Sequence, residues 1–182
     1  MLRLGPSKAP GRESKGWAAM AKFTRRVRID APAEKVWAVL ADFGGVSKWA
    51  PTITESRKLT EANGGVGARR TCTHVKMGEI EEVIVEWEEG RRYSYDFTSG
   101  LPMPMKSLIN DWSVESDGDG AVVTLHQNFT TKFGPLGSLM ESLVLRRMMD
   151  KEITVTLAGL KYHTETGEIS TLKVPLPTDA PY

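Results

Sequence analysis

The 182-residue sequence is poor in the residues that build disulfide and metal sites: it holds one cysteine, Cys72, and three histidines. One cysteine excludes an intramolecular disulfide framework, and the scattered histidines lack metal-ligand spacing, so we expect neither a metal nor another cofactor. No stretch approaches the roughly 18 consecutive apolar residues of a membrane-spanning helix. Lys and Arg number 24 against 23 Asp and Glu, which leaves no strong net charge to attract nucleic acid. We therefore expect a cytoplasmic protein that neither crosses a membrane nor binds nucleic acid.

Both ends of the chain have compositions that oppose packing. Residues 1–20 are rich in Gly, Pro, Ser, Lys and Arg, and the final segment STLKVPLPTDAPY is rich in proline. These compositions predict a disordered leader over 1–20, one folded domain over 21–166 and a disordered tail over 167–182. Met20 offers an alternative start for the native protein, so whether residues 1–19 belong to it stays open.

The hydrophobic pattern of the folded part predicts one strand, two short helices, six strands and a long helix. Alternation from Phe23 to Ile29 indicates the first strand, and helical spacing follows Pro32 as far as Ala41. A second short helix is expected at 46–49. Further strands are expected at 52–60, 67–77, 79–89, 91–98, 105–117 and 121–132, and the long helix at 135–164.

This order of elements favours an α+β fold. A sheet of seven antiparallel strands needs a cover on one face, and the C-terminal helix is the one long element that the pattern offers. We therefore predict a seven-stranded curved antiparallel sheet wrapped round a long C-terminal helix, with two short helices after strand 1. A gap between the sheet and the helix would form a cavity.

The segment VRIDAPAEKVWAVLADFGGVSKWAP (27–51) resembles the opening of the helix-grip, START-like superfamily. Three later segments, beginning at Arg91, Asn110 and Phe133, are similar to its bacterial polyketide cyclase/dehydratase-like branch, so the resemblance covers residues 23–163. It implies the helix-grip fold and, in that branch, a polyketide or lipid type of ligand. The superfamily contains enzymes, carriers, receptors and co-chaperones, so the fold alone does not choose an activity.

Strand alternation predicts which residues face the long helix. The expected members of this inner face are Val27, Ile29, Thr71, Thr73, Val75, Met77, Glu81, Val83, Val85, Trp87, Tyr93, Tyr95, Phe97, Leu108, Asn110, Trp112, Val114, Val123, Leu125, Gln127 and Phe129. The polar groups of Glu81, Asn110 and Gln127, with the tyrosine hydroxyls, converge in an apolar cup, which is typical of ligand sites. The alternative is that these groups satisfy one another or reach solvent, and a one-residue bulge would put Glu82 inside instead of Glu81.

The long helix supplies the other wall of the predicted cup. Leu139 and Leu143 lie on one apolar stripe, which brings Arg147 onto the same side at 3.6 residues per turn. Arg147 is then placed to hold a ligand carboxylate or phenolate with its fork of donors. The alternative pairs Arg147 with Asp150 at a solvated edge.

The loop TSGLPMPM (98–105) is unusually apolar for a connection between strands. We interpret its Leu101 and Met103 as the lip of the cup, with stiffening of the loop as the alternative. His74 and His126 alternate onto the faces opposite the apolar sets of their strands, which predicts that both histidines are solvent-exposed.

No nucleophile, base and orienting group occur together in the sequence, so catalytic residues stay unassigned. The predicted ligand-binding residues are Trp49, Glu81, Tyr93, Tyr95, Phe97, Leu101, Met103, Asn110, Trp112, Gln127, Leu139, Leu143 and Arg147.

Three functions fit this pattern. The first is binding of a hydrophobic or aromatic small molecule of polyketide, lipid or isoprenoid type between the sheet and the helix. The second is a cyclase/dehydratase-type enzyme, in which Glu81 or Glu82, a tyrosine and Arg147 move protons or polarise a carbonyl in the same cavity. The third is a protein-interaction module that uses the apolar loop. The identity of the ligand and the oligomeric state stay open.

Overall fold

The computed structural model describes residues 21–101, 105–131 and 138–175, and for residues 21, 131 and 138–146 only the backbone. The predicted leader, Met103 and residues 176–182 lie outside this part of the chain. Its helices are α1 (Ala33–Ala41), a short 3-10 helix (Phe43–Lys48) and α2 (Ser138–Thr166). Its strands are β1 (Ala21–Ile29), β2 (Ile53–Lys58), β3 (Arg69–His74), β4 (Gly78–Glu88), β5 (Arg92–Ser99), β6 (Met105–Asp117) and β7 (Gly120–Thr131).

All seven strands form one antiparallel sheet in the order β1-β7-β6-β5-β4-β3-β2. Strands β2 to β7 are neighbours in chain order, as their short connections require, and β1 pairs with β7, where Val27 lies opposite Val123. The predicted α+β architecture is confirmed: a curved antiparallel sheet, two short helices after β1 and a long C-terminal helix. Within the described ranges, no helix has the length and apolarity needed to span a bilayer.

Helix α2 packs through one stripe of its surface. Ile153, Leu157 and Leu160 are buried there, at the spacing of a single helical face. Gly159 lets the helix come close to the chain that follows the 3-10 helix, because a Cβ at this position would lie only 2.2 Å from the carbonyl oxygen of Trp49. Any larger residue would push α2 away from this segment.

The chain stays packed for a few residues beyond α2. Ser170 is buried, and its backbone N–H donates to the carbonyl oxygen of Lys48 at 2.8 Å. The sequence predicts a disordered tail from residue 167 onward, but this contact ties the chain to the 3-10 helix. Ser170 therefore packs against the domain.

An aromatic cluster next to α1 fills part of the inner face. The rings of Trp37 and Trp87 lie 5.1 Å apart, and Tyr93 packs against both. Both indole N–H groups donate to Glu89, that of Trp37 at 2.8 Å and that of Trp87 at 2.9 Å. These hydrogen bonds hold the pKa of the Glu89 carboxyl below its ordinary value. We call Trp37 and Trp87 the outer tryptophan pair.

Candidate functional site

A cavity of about 300 Å³ lies between the inner face of the sheet and α2. This volume is at the lower end of the range of about 300–1,000 Å³ that is common for small-molecule sites. Strands β3 to β7 line one side, α2 lines the other, and the segment from the 3-10 helix to β2 closes one end. The wall consists of Val46, Trp49, Ala50, Thr52, Ile53, Arg70, His74, Lys76, Met77, Ile80, Glu82, Tyr95, Phe97, Met105, Leu108, Asn110, Trp112, Leu125, Gln127, Met148, Met149, Glu152 and Thr156.

The cavity reaches the protein surface beside α2. Met148 and Lys76 are solvent-exposed and both belong to the wall. In the same wall, Trp112 and Leu125 are each only 1% exposed. The cavity therefore runs from an entrance between α2 and the turn after β3 to a buried end at β6 and β7.

Strand β4 contains a bulge that reverses its alternation. Trp87 pairs with Tyr93 and Ile84 pairs with Tyr95, so β4 has one more residue than β5 between the two pairs. The extra residue, Val85, is exposed. On one side of such a bulge the odd-numbered residues face the inner side of the sheet, and on the other side the even-numbered residues do.

The bulge puts Glu82, and not Glu81, on the inner face. Alternation counted back from Trp87 predicts Glu81 inside. In the structure Glu82 is 3% exposed and lines the cavity, whereas Glu81 lies outside the wall and accepts a hydrogen bond from Arg69 at 3.0 Å. The inner position expected for Glu81 is therefore corrected to Glu82, as the bulge alternative anticipates.

The same reversal applies to β3, which pairs with this part of β4. Arg70 lies opposite Glu82, so the residues of β3 that face inward are the even-numbered ones, as in this part of β4. Arg70 and His74 are buried in the cavity wall, whereas Thr73 and Val75, expected inside, are exposed. The solvent exposure predicted for His74 is wrong for this reason.

The first polar centre of the cavity wall is a buried ion pair. Arg70 Nε donates to Glu82 Oε2 at 2.5 Å, and Arg70 Nη1 donates to the carbonyl oxygen of Phe43 at 2.6 Å. The guanidinium also lies 3.8 Å from the centroid of the Phe43 ring. Burial lowers the pKa of Arg70, but the adjacent Glu82 carboxylate outweighs burial and the pKa is raised. Arg70 is thus part of a neutralised pair and is not a free cation.

The second polar centre joins Glu152 of α2 to the sheet. Glu152 Oε1 accepts from Thr52 Oγ1 at 2.5 Å and from His74 Nε2 at 3.1 Å. His74 Nδ1 accepts the backbone N–H groups of Lys76 and Met77 at 3.1 and 3.2 Å, so the proton of the neutral ring lies on Nε2. Burial raises the pKa of Glu152, but the hydrogen bonds from His74 and Thr52 outweigh it and lower the pKa below its ordinary value of 4.5. Glu152 is therefore ionised at neutral pH.

Four buried polar atoms in the wall have no hydrogen-bond partner within the described part of the chain: Trp49 Nε1, Trp112 Nε1, Asn110 Oδ1 and Gln127 Oε1. The two indoles pack edge to face, with centroids 5.5 Å apart, and we call them the cavity tryptophan pair. The amide nitrogen of Asn110 donates to the Tyr95 hydroxyl at 2.7 Å. A buried polar group without a partner costs about 1–3 kcal/mol, so these two donors and two acceptors are costly groups in the residues of the wall.

Six predicted site residues line the cavity. Most of them come from strands β5 to β7, where β6 and β7 pair without a register shift from Ser107 to Asp117. Unbroken pairing keeps the alternation intact, so the inner residues follow from the sequence pattern. The six are Trp49, Tyr95, Phe97, Asn110, Trp112 and Gln127.

Two further predicted residues lie near the cavity but outside its wall. Tyr93 is buried beside the outer tryptophan pair. Leu101 packs against a cluster that includes Met105 and Met149, both of which line the cavity. Leu101 is therefore one layer removed from the cavity, and its expected partner in the lip, Met103, lies outside the described residues.

The helix residues predicted for the site are placed differently or lie outside the description. Arg147 is exposed and is not part of the wall, and Asp150, its expected partner in the alternative, forms an ion pair with an arginine of β1. Met149 faces the cavity instead, about 200° round the helix from Arg147. The side chains of Leu139 and Leu143, from which the register was extrapolated, are not described.

Sequence reasoning missed four ionisable residues of the wall: Arg70, His74, Lys76 and Glu152. The sequence does contain a signal for Glu152: it is the neighbour of Ile153, whose apolar stripe continues to Leu157. The segment RRTCTH of β3 carries none, since it contains no apolar alternation. His74 pairs with Glu152 and Arg70 pairs with Glu82, and in the described ranges no group of three His, Cys, Asp or Glu side chains is arranged to hold a metal ion.

A seven-stranded antiparallel sheet wrapped round a long helix, with a cavity between them, defines a helix-grip domain. The sequence model of the family described as polyketide cyclase / dehydrase and lipid transport matches residues 20–165. The chain belongs to this family, as the resemblance of its segments predicts.

Solved structures of low sequence identity share the fold. The Zhui aromatase/cyclase from Streptomyces sp. R1128 has a TM-score of 0.66 and 18% identity, covering 81% of this chain and 94% of its own. A protein from Thermobifida fusca has a TM-score of 0.65 and 22% identity, covering 79% and 92%. The protein Ara h 8.0201 has a TM-score of 0.64 and 18% identity, covering 80% and 98%. No curated protein sequence matches the chain. The similarity at these identities concerns the fold alone.

Proposed function

We propose that the protein binds a hydrophobic or aromatic small molecule of polyketide, lipid or isoprenoid type in the cavity between the sheet and α2. The observation that carries this proposal is a largely apolar wall that contains four buried polar atoms without described partners. A ligand with complementary groups removes the cost of leaving these atoms unpaired. The family description, which includes lipid transport, supports the same conclusion.

The cavity suits a ligand of about two rings. A dry cavity of about 150 Å³ holds one benzene molecule, and this cavity measures about 300 Å³. Trp49, Trp112, Tyr95 and Phe97 offer ring contacts, each worth about 0.5–1.5 kcal/mol beyond the area they bury. The exposed Met148 at the entrance has a flexible side chain that adapts to different apolar shapes.

Binding is tested by thermal unfolding and tryptophan fluorescence with a panel of naphthalene-sized aromatics, fatty acids and isoprenoid alcohols. Native mass spectrometry of the freshly purified protein detects any ligand that co-purifies. We expect at least one compound to stabilise the fold, by about 2.7 kcal/mol at a concentration 100-fold above its Kd. An unchanged unfolding temperature across the panel, together with a bare protein mass, would overturn the proposal.

A pair of variants links binding to the cavity. Leu125→Phe adds a larger side chain that fills part of the buried end of the cavity. Val122→Phe adds the same ring to a residue of β7 outside the wall. We expect Leu125→Phe to lose most of the affinity and Val122→Phe to retain it, with both folded by circular dichroism. Equal affinity in the two variants would mean that the compound binds elsewhere.

An enzyme of the cyclase/dehydratase type is the second candidate, and the two cavity carboxylates favour it. The hydrogen bonds of Glu82 end at Oε2 and those of Glu152 end at Oε1. Each carboxylate thus keeps one oxygen without a partner among the described residues, and such an oxygen can accept a proton. Arg70, which also lines the cavity, would stabilise negative charge on a reacting carbonyl oxygen.

Turnover of aromatic polyketide mimics separates the enzyme from the binding protein. The test compares the wild type with Glu82→Gln and Glu152→Gln, and uses Glu81→Gln and Arg147→Met as controls because those residues lie outside the wall. An enzyme would lose product formation in the two cavity variants alone. Equal product formation by all five proteins and a buffer blank excludes catalysis of this type.

A further inference from the structure

The centre formed by Glu152, His74 and Thr52 joins α2 to the sheet beside the cavity entrance. Glu152 and His74 belong to the cavity wall together with Lys76, which is exposed at the entrance. We propose that this centre is a subsite for an uncharged hydroxyl group of the ligand, and that it selects hydroxylated ligands over carboxylates. The inference rests on the proposed binding function and adds the chemical class of the ligand.

One oxygen of Glu152 is available to a ligand. Thr52 Oγ1 and His74 Nε2 both donate to Oε1, and Oε2 has no hydrogen-bond partner among the residues that the structure describes. The Glu152 side chain is 25% exposed, so it is neither sealed in the core nor free in solvent. An ionised carboxylate only accepts hydrogen bonds, so a group that binds Oε2 has to be a donor.

The orientation of this acceptor is fixed before any ligand arrives. His74 cannot offer its other ring nitrogen to Glu152, because Nδ1 accepts the backbone N–H groups of Lys76 and Met77. Thr52, just before β2, is 6% exposed, and its hydroxyl donates to the same carboxylate oxygen. Side chains locked by such second contacts form a preorganised site.

The charges around the cavity argue against an anionic ligand. Arg70 is neutralised by Glu82 in a buried pair, and Glu152 is an ionised carboxylate because the hydrogen bonds from His74 and Thr52 outweigh its burial and lower its pKa. Lys76, the other cation of the described wall, is solvent-exposed at the entrance, where water and salt screen its charge. A carboxylate beside Glu152 would lose hydration and face a like charge, whereas a hydroxyl donates without either cost.

Three probes with one ring system test the subsite: 2-naphthol, 2-methoxynaphthalene and 2-naphthoate, titrated at neutral pH by calorimetry or fluorescence. We expect 2-naphthol to bind the wild type about tenfold more tightly than 2-methoxynaphthalene, because only the former donates to a charged acceptor. We expect 2-naphthoate to bind most weakly of the three.

Glu152→Gln provides the matched variant, since it keeps the size of the side chain and removes its charge. We expect the affinity for 2-naphthol to fall about tenfold, that for 2-methoxynaphthalene to stay unchanged and that for 2-naphthoate to rise. Glu81→Gln, outside the wall, should change none of the three.

The outcomes of these titrations distinguish failure of the hydroxyl subsite from failure of the proposed ligand binding. Equal affinity of the wild type for the three probes, or tightest binding of 2-naphthoate, would overturn the hydroxyl subsite and leave ligand binding standing. Failure of all three probes to bind the wild type would overturn the hydroxyl subsite, and the binding function would fall with it if the fatty acids and isoprenoid alcohols also left the unfolding temperature unchanged and the purified protein had a bare mass. The probe series on the wild type decides the question even if Glu152→Gln does not fold.

Discussion

The outer tryptophan pair and the cavity tryptophan pair have similar packing but opposite hydrogen-bonding states. The ring centroids of Trp37 and Trp87 are 5.1 Å apart, and both indoles donate to Glu89. Those of Trp49 and Trp112 are 5.5 Å apart, and neither indole N–H has a partner within the described residues. Only the second pair lines the cavity of about 300 Å³.

This difference in hydrogen bonding shows that aromatic content alone does not distinguish a packed core from a binding site. Buried polar atoms are normally paired: the outer pair has its acceptor in Glu89, whereas the cavity pair has none among the described residues. The state of the indole nitrogens therefore distinguishes the two regions better than ring packing does.

The Arg70–Glu82 ion pair lies between the two regions. The Arg70 guanidinium contacts the rings of Phe43 and Tyr95. Phe43 also packs against Tyr93 of the outer cluster, whereas Tyr95 lines the cavity. Breaking this pair should therefore disturb both regions at once.

The largest effect is expected for Glu82→Gln, which leaves Arg70 as a buried cation without its counter-charge. Its free energy of unfolding should fall by about 3–5 kcal/mol, measured by urea denaturation. Glu81→Gln is the control, because its pair with Arg69 is partly exposed and worth only about 0–1 kcal/mol. Equal losses in the two variants would contradict the burial of the Arg70–Glu82 pair.

A smaller effect should distinguish the tryptophan pairs by ligand affinity. Trp112→Phe keeps an aromatic ring but removes the indole donor, so its affinity for 2,6-dihydroxynaphthalene, which offers a second oxygen to the buried end, should fall about five- to tenfold. Trp37→Phe loses its hydrogen bond to Glu89 and some stability, but its affinity should not change. Calorimetric titration of both variants measures this, and equal affinities would remove the functional distinction between the pairs.

The smallest effect concerns the pH dependence of stability. The pKa of Glu152 is lower in the folded protein than its ordinary value of 4.5, so its contribution is present above that value and is lost as pH falls through the folded pKa. The stability difference between wild type and Glu152→Gln should therefore be largest near neutral pH and shrink below about pH 4.5. Urea unfolding midpoints at several pH values measure it. A difference that grows toward acid pH would contradict the assigned direction.

The parts of the site that follow from the sequence are those with unbroken strand pairing. Asn110, Trp112 and Gln127 lie where predicted because β6 and β7 keep their register. The bulge at Val85 cannot be recognised from the alternating residues around it, because both Glu81 and Glu82 are polar. Glu82 could therefore be named only as an alternative.

The other half of the site depends on contacts between distant segments. His74 lines the cavity because β3 takes its register from β4 and because its ring accepts the N–H groups of the following turn. Arg147 was placed by extending a helical stripe over several turns, and the buried stripe of the described helix runs through Met149 and Ile153 instead. Local periodicity predicts the elements, whereas tertiary register decides which polar groups meet.

The most direct test of a ligand-binding cavity is a ¹H–¹⁵N correlation spectrum of the indole N–H groups during titration with 2-naphthol. The cavity tryptophans are assigned with Trp49→Phe and Trp112→Phe, and the outer pair serves as the internal reference. We expect the Trp49 and Trp112 signals to shift in a saturable manner while those of Trp37 and Trp87 stay in place. Stationary Trp49 and Trp112 signals at saturating probe, or shifts confined to the outer pair, would contradict ligand binding in this cavity.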